Sequence, residues 1–374
     1  MLEAAAARDL TVIAADRDSL APGFALSDER AVISSEDEAA IERLARARAV
    51  HGLISPGSDW PVGVAARVAE RLGLPHPVSG ATAVLATTKT RQRERLAAAG
   101  VLQPRVFSAG AADVPFPCVV KAPDRQGQRG LTLVRDRAAF DAAVAAAATA
   151  ARNGGVLVEE LIEGPELTVN AVSLDGRFVP LTVTDRVLAG PPAFGVALAH
   201  EWPSRHPVDE VIEAAAAAVS ALGIENGPSY TQIRLGSGGR AYVMEVAARL
   251  GGGHDAELCR AALGVDLNDL AISFALGRDP REGVSPGRRG GRGGACIRFL
   301  VAPEGTLLST EGVEEAEAIE GVEWVRGYRR PGWRFGPLVR GADRAGAVLA
   351  TGADRAEAVS RARRAAETVR FVVT

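Results

Sequence analysis

Phe116-Pro-Cys-Val-Val-Lys-Ala-Pro-Asp-Arg-Gln-Gly-Gln-Arg-Gly130 is the stretch from which the rest of the chain can be read. An apolar run of strand character ends on Lys121, and a polar loop carrying Gly127 and Gly130 leads into a second apolar run, Leu131 to Val134. Glycines let backbone N–H groups close over phosphate oxygens, and a lysine at the preceding strand end can neutralise them. A plain turn would also account for such a loop, so its weight depends on its company.

Lys121 is conspicuous for another reason. Of 43 basic residues only two are lysine, Lys89 and Lys121. Where arginine serves every ordinary solvated charge, a retained lysine suggests a site needing a slim point cation instead of a planar fork. The other compositional facts are restrictive. With 374 residues, 47% hydrophobic and 24% charged, the chain is expected to fold into two or three packed units. A net charge of −3 with mixed signs gives no reason to expect nucleic acid as a partner. Cys118, Cys259 and Cys296 are isolated and odd in number, which argues against disulfides or a cysteine metal site. The acidic Met1-Leu2-Glu3 opening and the lack of a bilayer-length apolar run disfavour secretion and membrane insertion, so a cytoplasmic location is expected.

Before the lysines, Leu2 to Asp9 reads as helix, Leu10 to Ala15 as strand, Glu36 to Arg48 as helix, Gly52 to Ser55 as a short strand and Val62 to Leu72 as helix. This alternation predicts a parallel, doubly wound sheet. Such sheets usually open on a strand, so an opening strand is expected to be missing or to precede Met1. After Thr87 come a helix from Arg91 to Ala99, the strand ending in Lys121, the strand at Leu131, an alanine-rich helix from Arg137 to Ala151 and a strand from Val156 to Glu159. Asp175-Gly176 joins a hairpin of Thr168 to Leu174 and Phe178 to Val183, and Val208 to Leu222 is helical. Ser229 to Leu235 and Arg240 to Val246 form a second hairpin. A symmetric turn would set Gln232 opposite Val243 and project Gln232, Arg234, Val243 and Glu245 from one face, with Gln232 and Glu245 as diagonal neighbours able to share a cation. The Gly, Pro and Arg-rich stretch from Gly277 to Gly294 reads as a loop before a last unit of mixed strands and a helix from Arg355 to Glu367.

Two more stretches carry chemistry. Val156-Leu-Val-Glu-Glu-Leu-Ile-Glu-Gly-Pro-Glu166 runs from a strand into an extended acidic connector, which can offer an adenine alternating N–H and C=O groups and a ribose a carboxylate. Met244-Glu-Val-Ala-Ala-Arg-Leu-Gly-Gly-Gly-His254 combines an acid suited to Mg²⁺ with an arginine able to stabilise developing negative charge. Read singly, these are a solvated acidic loop and a salt-bridged strand end.

Taken in order, the pieces resemble the ATP-grasp superfamily: Thr87-Thr-Lys-Thr-Arg-Gln-Arg93, Phe116 to Pro123, the Gln126 to Gly130 loop, Val158 to Glu166, and Glu245 to Gly253. The resemblance covers nearly the whole chain. It implies an α/β fold, α+β in the lid, with an N-terminal doubly wound domain over 1–84, an ATP-grasp domain over 85–276 with a lid at about 115–162, and a mixed C-terminal lobe over 277–374. By position, Lys89 and Lys121 would contact the phosphates of ATP beneath Gln126, Gly127, Gln128 and Gly130. Glu159, Leu161 and Ile162 would line the adenine, and Glu166 would take the ribose. Gln232 and Glu245 would hold Mg²⁺, for which Mn²⁺ is an admissible substitute. Arg249 and Lys121 are the candidate catalytic residues, Arg249 lying over the transferred phosphate and the acyl oxygen.

Glu245-Val-Ala-Ala-Arg-Leu-Gly-Gly-Gly253 is similar to the amino-acid ligases that form dipeptides and related amides, as are Ala199-His-Glu-Trp-Pro-Ser204 and Asn226 to Ile233. That branch implies a carboxylate and an amine as small-molecule substrates, met by His200, Trp202, Arg249, Gly251, Gly252 and His254, with a homodimer as the default assembly. Three departures stand out: Gln232 where a carboxylate is frequent, Ala247 where an asparagine is frequent, and Val196-Ala197 in place of an acid before His200. A carboxylase or purine-pathway relative is the competing enzyme reading. The three glycines before His254 argue against the carboxylase. A nucleotide-binding regulatory protein with a decayed site is the non-enzymatic alternative.

Overall fold

The computed structural model describes residues 1–111, 113–280 and 293–374. Its centre is an eight-stranded sheet whose order across the sheet is Ala241–Ala247, Gly227–Leu235, Glu166–Leu174, Arg177–Leu188, Ala197–Trp202, Gly294–Leu300, Gly346–Gly352 and Val322–Gly327. Every neighbouring pair is antiparallel. The strands on either side of the Gly/Pro/Arg-rich stretch therefore belong to one sheet. Within that stretch, residues 281–292 lie outside the described residues.

One face of the sheet is apolar throughout. Leu167, Val169, Val183, Ile233, Val243 and Val246 pack against the alanine-rich helix Asp209–Ala221 and helices nearer the N-terminus. Ala199, Cys296 and Ala350 pack against the helix Arg355–Thr368. Both helices present alanines at the contact, which lets helix and sheet approach closely. The other face carries polar residues at one end and the helix Asp255–Leu263 over Ala295, Ile297 and Phe299 at the other.

A four-stranded antiparallel sheet, ordered Val106–Phe107, Leu157–Glu160, Cys118–Lys121 and Leu131–Val134, forms the lid with the helix Phe140–Ala150 behind it. Alternation along the strands turns Cys118, Val120 and Val158 to that helix and leaves Val119, Lys121 and Glu159 facing the large sheet.

The N-terminal segment differs from expectation. Ile13–Asp16 pairs in parallel with Glu29–Val32, giving a sheet of two strands, and Gly52 to Ser55 forms no strand. Glu29–Val32 contains two charged residues in four and lacks the apolar run that marks a buried parallel strand. A further helix, Gly80–Thr87, escaped notice because its small residues give no amphipathic period. The second hairpin is also shifted by one residue: Leu235 faces Ala241 and Ile233 faces Val243. Met244 is then an extra residue, a β-bulge, beyond which Gln232 stands directly opposite Glu245. Val243 consequently points into the core, while Met244 and Glu245 both turn to the polar face.

Candidate active site

Between lid and sheet lies a cavity that opens to solvent. Lys89, Lys121, Glu166 and Glu245, far apart in sequence, all reach its wall. So do Gln126, Gly127, Gln128, Glu159, Leu161, Ile162 and Gln232.

Lys89 begins the helix Lys89–Ala98, and the next turn of that helix explains its placement. Gln92 Nε2 donates to the carbonyls of Ala86 and Val246 at 2.6 and 2.8 Å, and its Oε1 accepts from Val246 N at 3.1 Å. Arg93 donates to the carbonyls of Met244 and Val243 at 2.6 and 3.3 Å. Residues three and four apart share a helix face, so these two buried side chains fasten Lys89 to the strand of Glu245. The Lys89 ammonium lies 2.8 Å from Glu245 and donates to the Arg125 carbonyl at 2.8 Å. Burial alone would lower its pKa, but Glu245 and Asp59 hold it above the usual lysine range.

Glu159 lines the cavity, and its side chain, 1% exposed, binds Lys121 at 2.6 Å and Arg93 at 2.5 Å, so the carboxylate orients two cations. One carboxylate shared by two cations leaves Lys121 under-compensated. Burial pushes the Lys121 ammonium down, Glu159 offsets part of this, and Arg93 and Lys89 push it further. Burial would raise Glu159, yet Lys121 and Arg93 hold it below the usual carboxylate range.

A transverse row crosses the polar face: Arg234, Glu166, Arg186 and His200 stand opposite one another in successive strands, and Ile297, Leu349 and Trp324 continue the row. Glu166 accepts from Arg234 at 2.8 Å and from both Arg186 and Gln232 at shorter range. Its carboxylate is thus already ringed by donors at the wall where a ribose was expected. Buried polar pairs continue the pattern beside it, Thr168 with Thr184 at 2.9 Å and Asn170 with Thr182 at 3.2 Å.

The glycine loop is tied at both ends. Gln126 accepts from the backbone N–H of Asp59 at 2.7 Å, while Gln128 donates to the Gly195 carbonyl at 3.3 Å and accepts from Gly341 N at 3.0 Å. Gly130 does not reach the cavity. Its φ of 68° and the crowding of Ala122 and Ala150 against the position of a Cβ make glycine a packing requirement there.

Arg249 is held by Asp59, at the start of the helix Asp59–Leu72, and donates to the Leu250 carbonyl at 2.7 Å. Burial would lower its pKa, and Asp59 more than offsets that. The glycines after it allow close approach: a Cβ on Gly251 would overlap Asp255 and Tyr230, one on Gly253 would meet His200 Nε2 at 2.7 Å, and Gly252 is open. His200 is 2% exposed, with Nδ1 3.6 Å from Asp255, and burial depresses its pKa to about 4. None of His200, Trp202, Arg249, Gly251, Gly252 and His254, the residues expected to meet the substrates, lines the cavity itself. His254 stacks on Tyr328 and bonds its hydroxyl at 2.5 Å, and Trp202 joins the apolar cluster of Leu258 and Ile297.

Sequence reading missed Asp59, Arg93, Arg186 and Met244. Asp59 lies outside every quoted motif, Arg186 falls mid-strand, and Met244 needed the bulge. Arg93 stood within Thr87 to Arg93 at helical spacing from Lys89, a signal that was available.

Residues 114–257 match the family described as ATP-grasp domain, and residues 298–374 match the L-amino acid ligase C-terminal domain 2. The formate-dependent phosphoribosylglycinamide formyltransferase of Burkholderia vietnamiensis is 30% identical over 390 residues, covering 96% of this chain and 89% of that protein. The chain belongs to the ATP-grasp family. The Sinorhizobium fredii protein y4rH, described as uncharacterized, is 30% identical over 76% of the ATP-grasp chain, which spans 61% of its length. The crystal structure of L-amino acid ligase from Bacillus licheniformis has the same fold, with a TM-score of 0.87 at 22% identity over 100% of this ATP-grasp chain and 95% of that chain. Among the described residues no helix is long and apolar enough to cross a membrane.

Proposed function

We propose that this ATP-grasp ligase activates a carboxylate as an acyl phosphate and transfers the acyl group to an amine, as in dipeptide or related amide formation. The observation that carries the reading is the convergence of Lys89, Lys121, Glu166 and Glu245 on one cavity, next to the Arg249 turn. ATP-grasp enzymes use ATP with Mg²⁺. Gln232 and Glu245 suit that ion: they face each other as one amide and one carboxylate oxygen donor, and among the described residues no set of three or more His, Cys, Asp or Glu could hold a metal unaided. Such a site requires phosphate oxygens to complete it, the usual arrangement for Mg²⁺. Held by Gln232 and Glu245, the ion would supply charge neutralisation.

The chain's own residues supply the rest. Leu161, Ile162, Val119 and Met244 form apolar walls for a base, and a ribose at the same wall would share the Glu166 carboxylate with Arg186, Arg234 and Gln232. Lys89 and Lys121 meet the phosphates, and Lys121, short of negative partners, gains most from an incoming anion. A substrate carboxylate oxygen attacks the terminal phosphorus and ADP leaves. The amine nitrogen then attacks the acyl carbon, phosphate departs, and the nitrogen loses a proton. Arg249, oriented by Asp59, stabilises the oxyanion between these events.

The purine-pathway reading is favoured by the extent of the match to the phosphoribosylglycinamide formyltransferase, and the ligase reading by the C-terminal match. Mass spectrometry of products from ATP, Mg²⁺ and pooled amino acids separates them. The ligase reading expects ADP, phosphate and a product lighter than its two components by one water. Turnover only with formate and a ribonucleotide amine would favour the purine reading, and nucleotide binding with no turnover of any pool would refute both.

A further inference from the structure

The helix Asp59–Leu72 begins without a cap from the residues before it. Ser58 makes no side-chain bond to its first turn, and the ladder starts with Val62 N donating to the Ser58 carbonyl at 3.3 Å. Pro61 has no N–H, so the open donors of that turn belong to Asp59 and Trp60. The Asp59 N–H is met from the lid, where it donates to Gln126 Oε1 at 2.7 Å. A glutamine 67 positions away thus caps the helix across the boundary between two units.

Trp60 is engaged by the lid as well. The guanidinium of Arg152, just beyond the lid helix Phe140–Ala150, lies 4.2 Å from the centre of the Trp60 ring and pairs with Glu36 at 2.7 Å. The lid is therefore seated on the N-terminal unit at the first two residues of this helix. Asp59 also reaches the large sheet. Its carboxylate holds Arg249 and is among the charges that keep the Lys89 ammonium above the usual lysine range. Lys89 in turn donates to the carbonyl of Arg125, the residue before Gln126. Lys89, the glycine loop, the helix start and Arg249 form one circuit. At Asp59 the circuit passes from a backbone N–H to the carboxylate of the same residue, so the bond that fixes the first also fixes where the second meets Arg249. Among the described residues Asp59 is the one carboxylate paired with that arginine.

Resting on the reading of Arg249 as the group that stabilises the acyl oxyanion, we propose that Gln126 is a positioning residue for Arg249. By capping the helix from the lid it sets Asp59, and through Asp59 the arginine, which is in place only while the lid is seated. Acyl transfer then depends on the glycine loop without any atom of Gln126 touching the acyl group.

The first arm of the test needs no turnover. Amide hydrogen exchange at Asp59 is measured in the Mg·ADP-bound protein, natural and variant. Gln126→Met keeps the length of the side chain but removes the acceptor, and should speed exchange of the Asp59 amide by about tenfold. Coupling between sites is reciprocal, so Arg249→Met, or Arg249→Lys should the first not fold, is expected to speed it by about threefold or more. Exchange left unchanged by one or the other substitution would overturn the proposal. The second arm uses whichever pool of acids and amines the natural protein turns over. At saturating ATP, Gln126→Met should lower kcat about tenfold, with KM for the acid and the amine changed by less than about threefold. In Asp59→Asn, which keeps the backbone N–H but frees Arg249, adding Gln126→Met should lower kcat by less than about twofold more. Losses that multiply, or a Gln126→Met variant impaired only in KM for ATP, would show the glutamine acting on the nucleotide itself and overturn the assignment. If the natural protein turns over no pool, the ligase reading falls, and the exchange arm still decides on Gln126.

Discussion

Glu159→Gln is the most demanding probe of the charge arrangement. The carboxylate is buried, and its two oxygens bind Lys121 at 2.6 Å and Arg93 at 2.5 Å. The amide substitute keeps the shape and can still accept one hydrogen bond, but it leaves two buried cations facing a neutral group. Breaking a buried ionic arrangement by removing one partner costs about 3–5 kcal/mol. At about 2–4 °C per kcal/mol for a domain of this order of size, melting should fall by roughly 10 °C. Loss of the carboxylate also leaves Lys121 and Arg93 more attractive to phosphate. ADP with Mg²⁺ should therefore raise the melting temperature of the variant by more than it raises that of the natural protein. Differential scanning fluorimetry with and without nucleotide measures both quantities. A variant that melts within about 2 °C of the natural protein, or that gains less from ADP, would refute the view that Glu159 balances Lys121 at the proposed nucleotide site.

Three other outcomes are expected. Asp59→Asn should leave ADP affinity nearly unchanged while lowering kcat by up to about 100-fold, since Arg249 loses the charge that orients it; a parallel loss of nucleotide affinity would show that Asp59 shapes the cavity itself. Gly164→Ala should destabilise by more than about 1–3 kcal/mol in a denaturant titration, because φ is 134° and a Cβ would overlap the Leu235 carbonyl. His200 should make stability pH-dependent: with its pKa depressed to about 4 from an ordinary 6.5, the unfolded chain binds the proton more readily between these values. Stability should consequently fall as pH drops through that window, and His200→Asn should flatten the slope in urea titrations at stepped pH.

The two lysines, the glycine loop and the acidic strand end were legible because each combines a residue type with a local pattern that survives translation into structure. The lid strands at Cys118–Lys121 and Leu131–Val134 were equally plain, being short apolar runs bounded by turn residues. What could not be read was set by contacts distant in sequence. Nothing near Asp59 in the chain indicates Arg249, its partner 190 positions away. The register of Gln232 and Glu245 depended on a bulge at Met244, and alternation alone predicts the unbulged register. The tie of Gln126 to Asp59 and of Gln128 to Gly341 was hidden for the same reason; glutamine suits both positions, since an amide accepts from a backbone N–H and can donate elsewhere without bringing negative charge to the loop.

The transverse row on the large sheet gives a physical boundary to the site. From Arg234 to His200 successive strands contribute charged or titratable side chains, and from Ile297 to Trp324 they contribute apolar ones. Alternating guanidinium and carboxylate groups on adjacent strands offset one another's desolvation only in part, and replacing such a series with apolar residues would commonly leave a fold as stable or more so. Stability therefore gives no reason for the charged half of the row. The apolar half shows that the same sheet can dispense with charge where the helix Asp255–Leu263 covers it. The charged half instead stands where the lid leaves a cavity, with cations in slight excess, an environment suited to receiving polyanionic and carboxylate-bearing molecules.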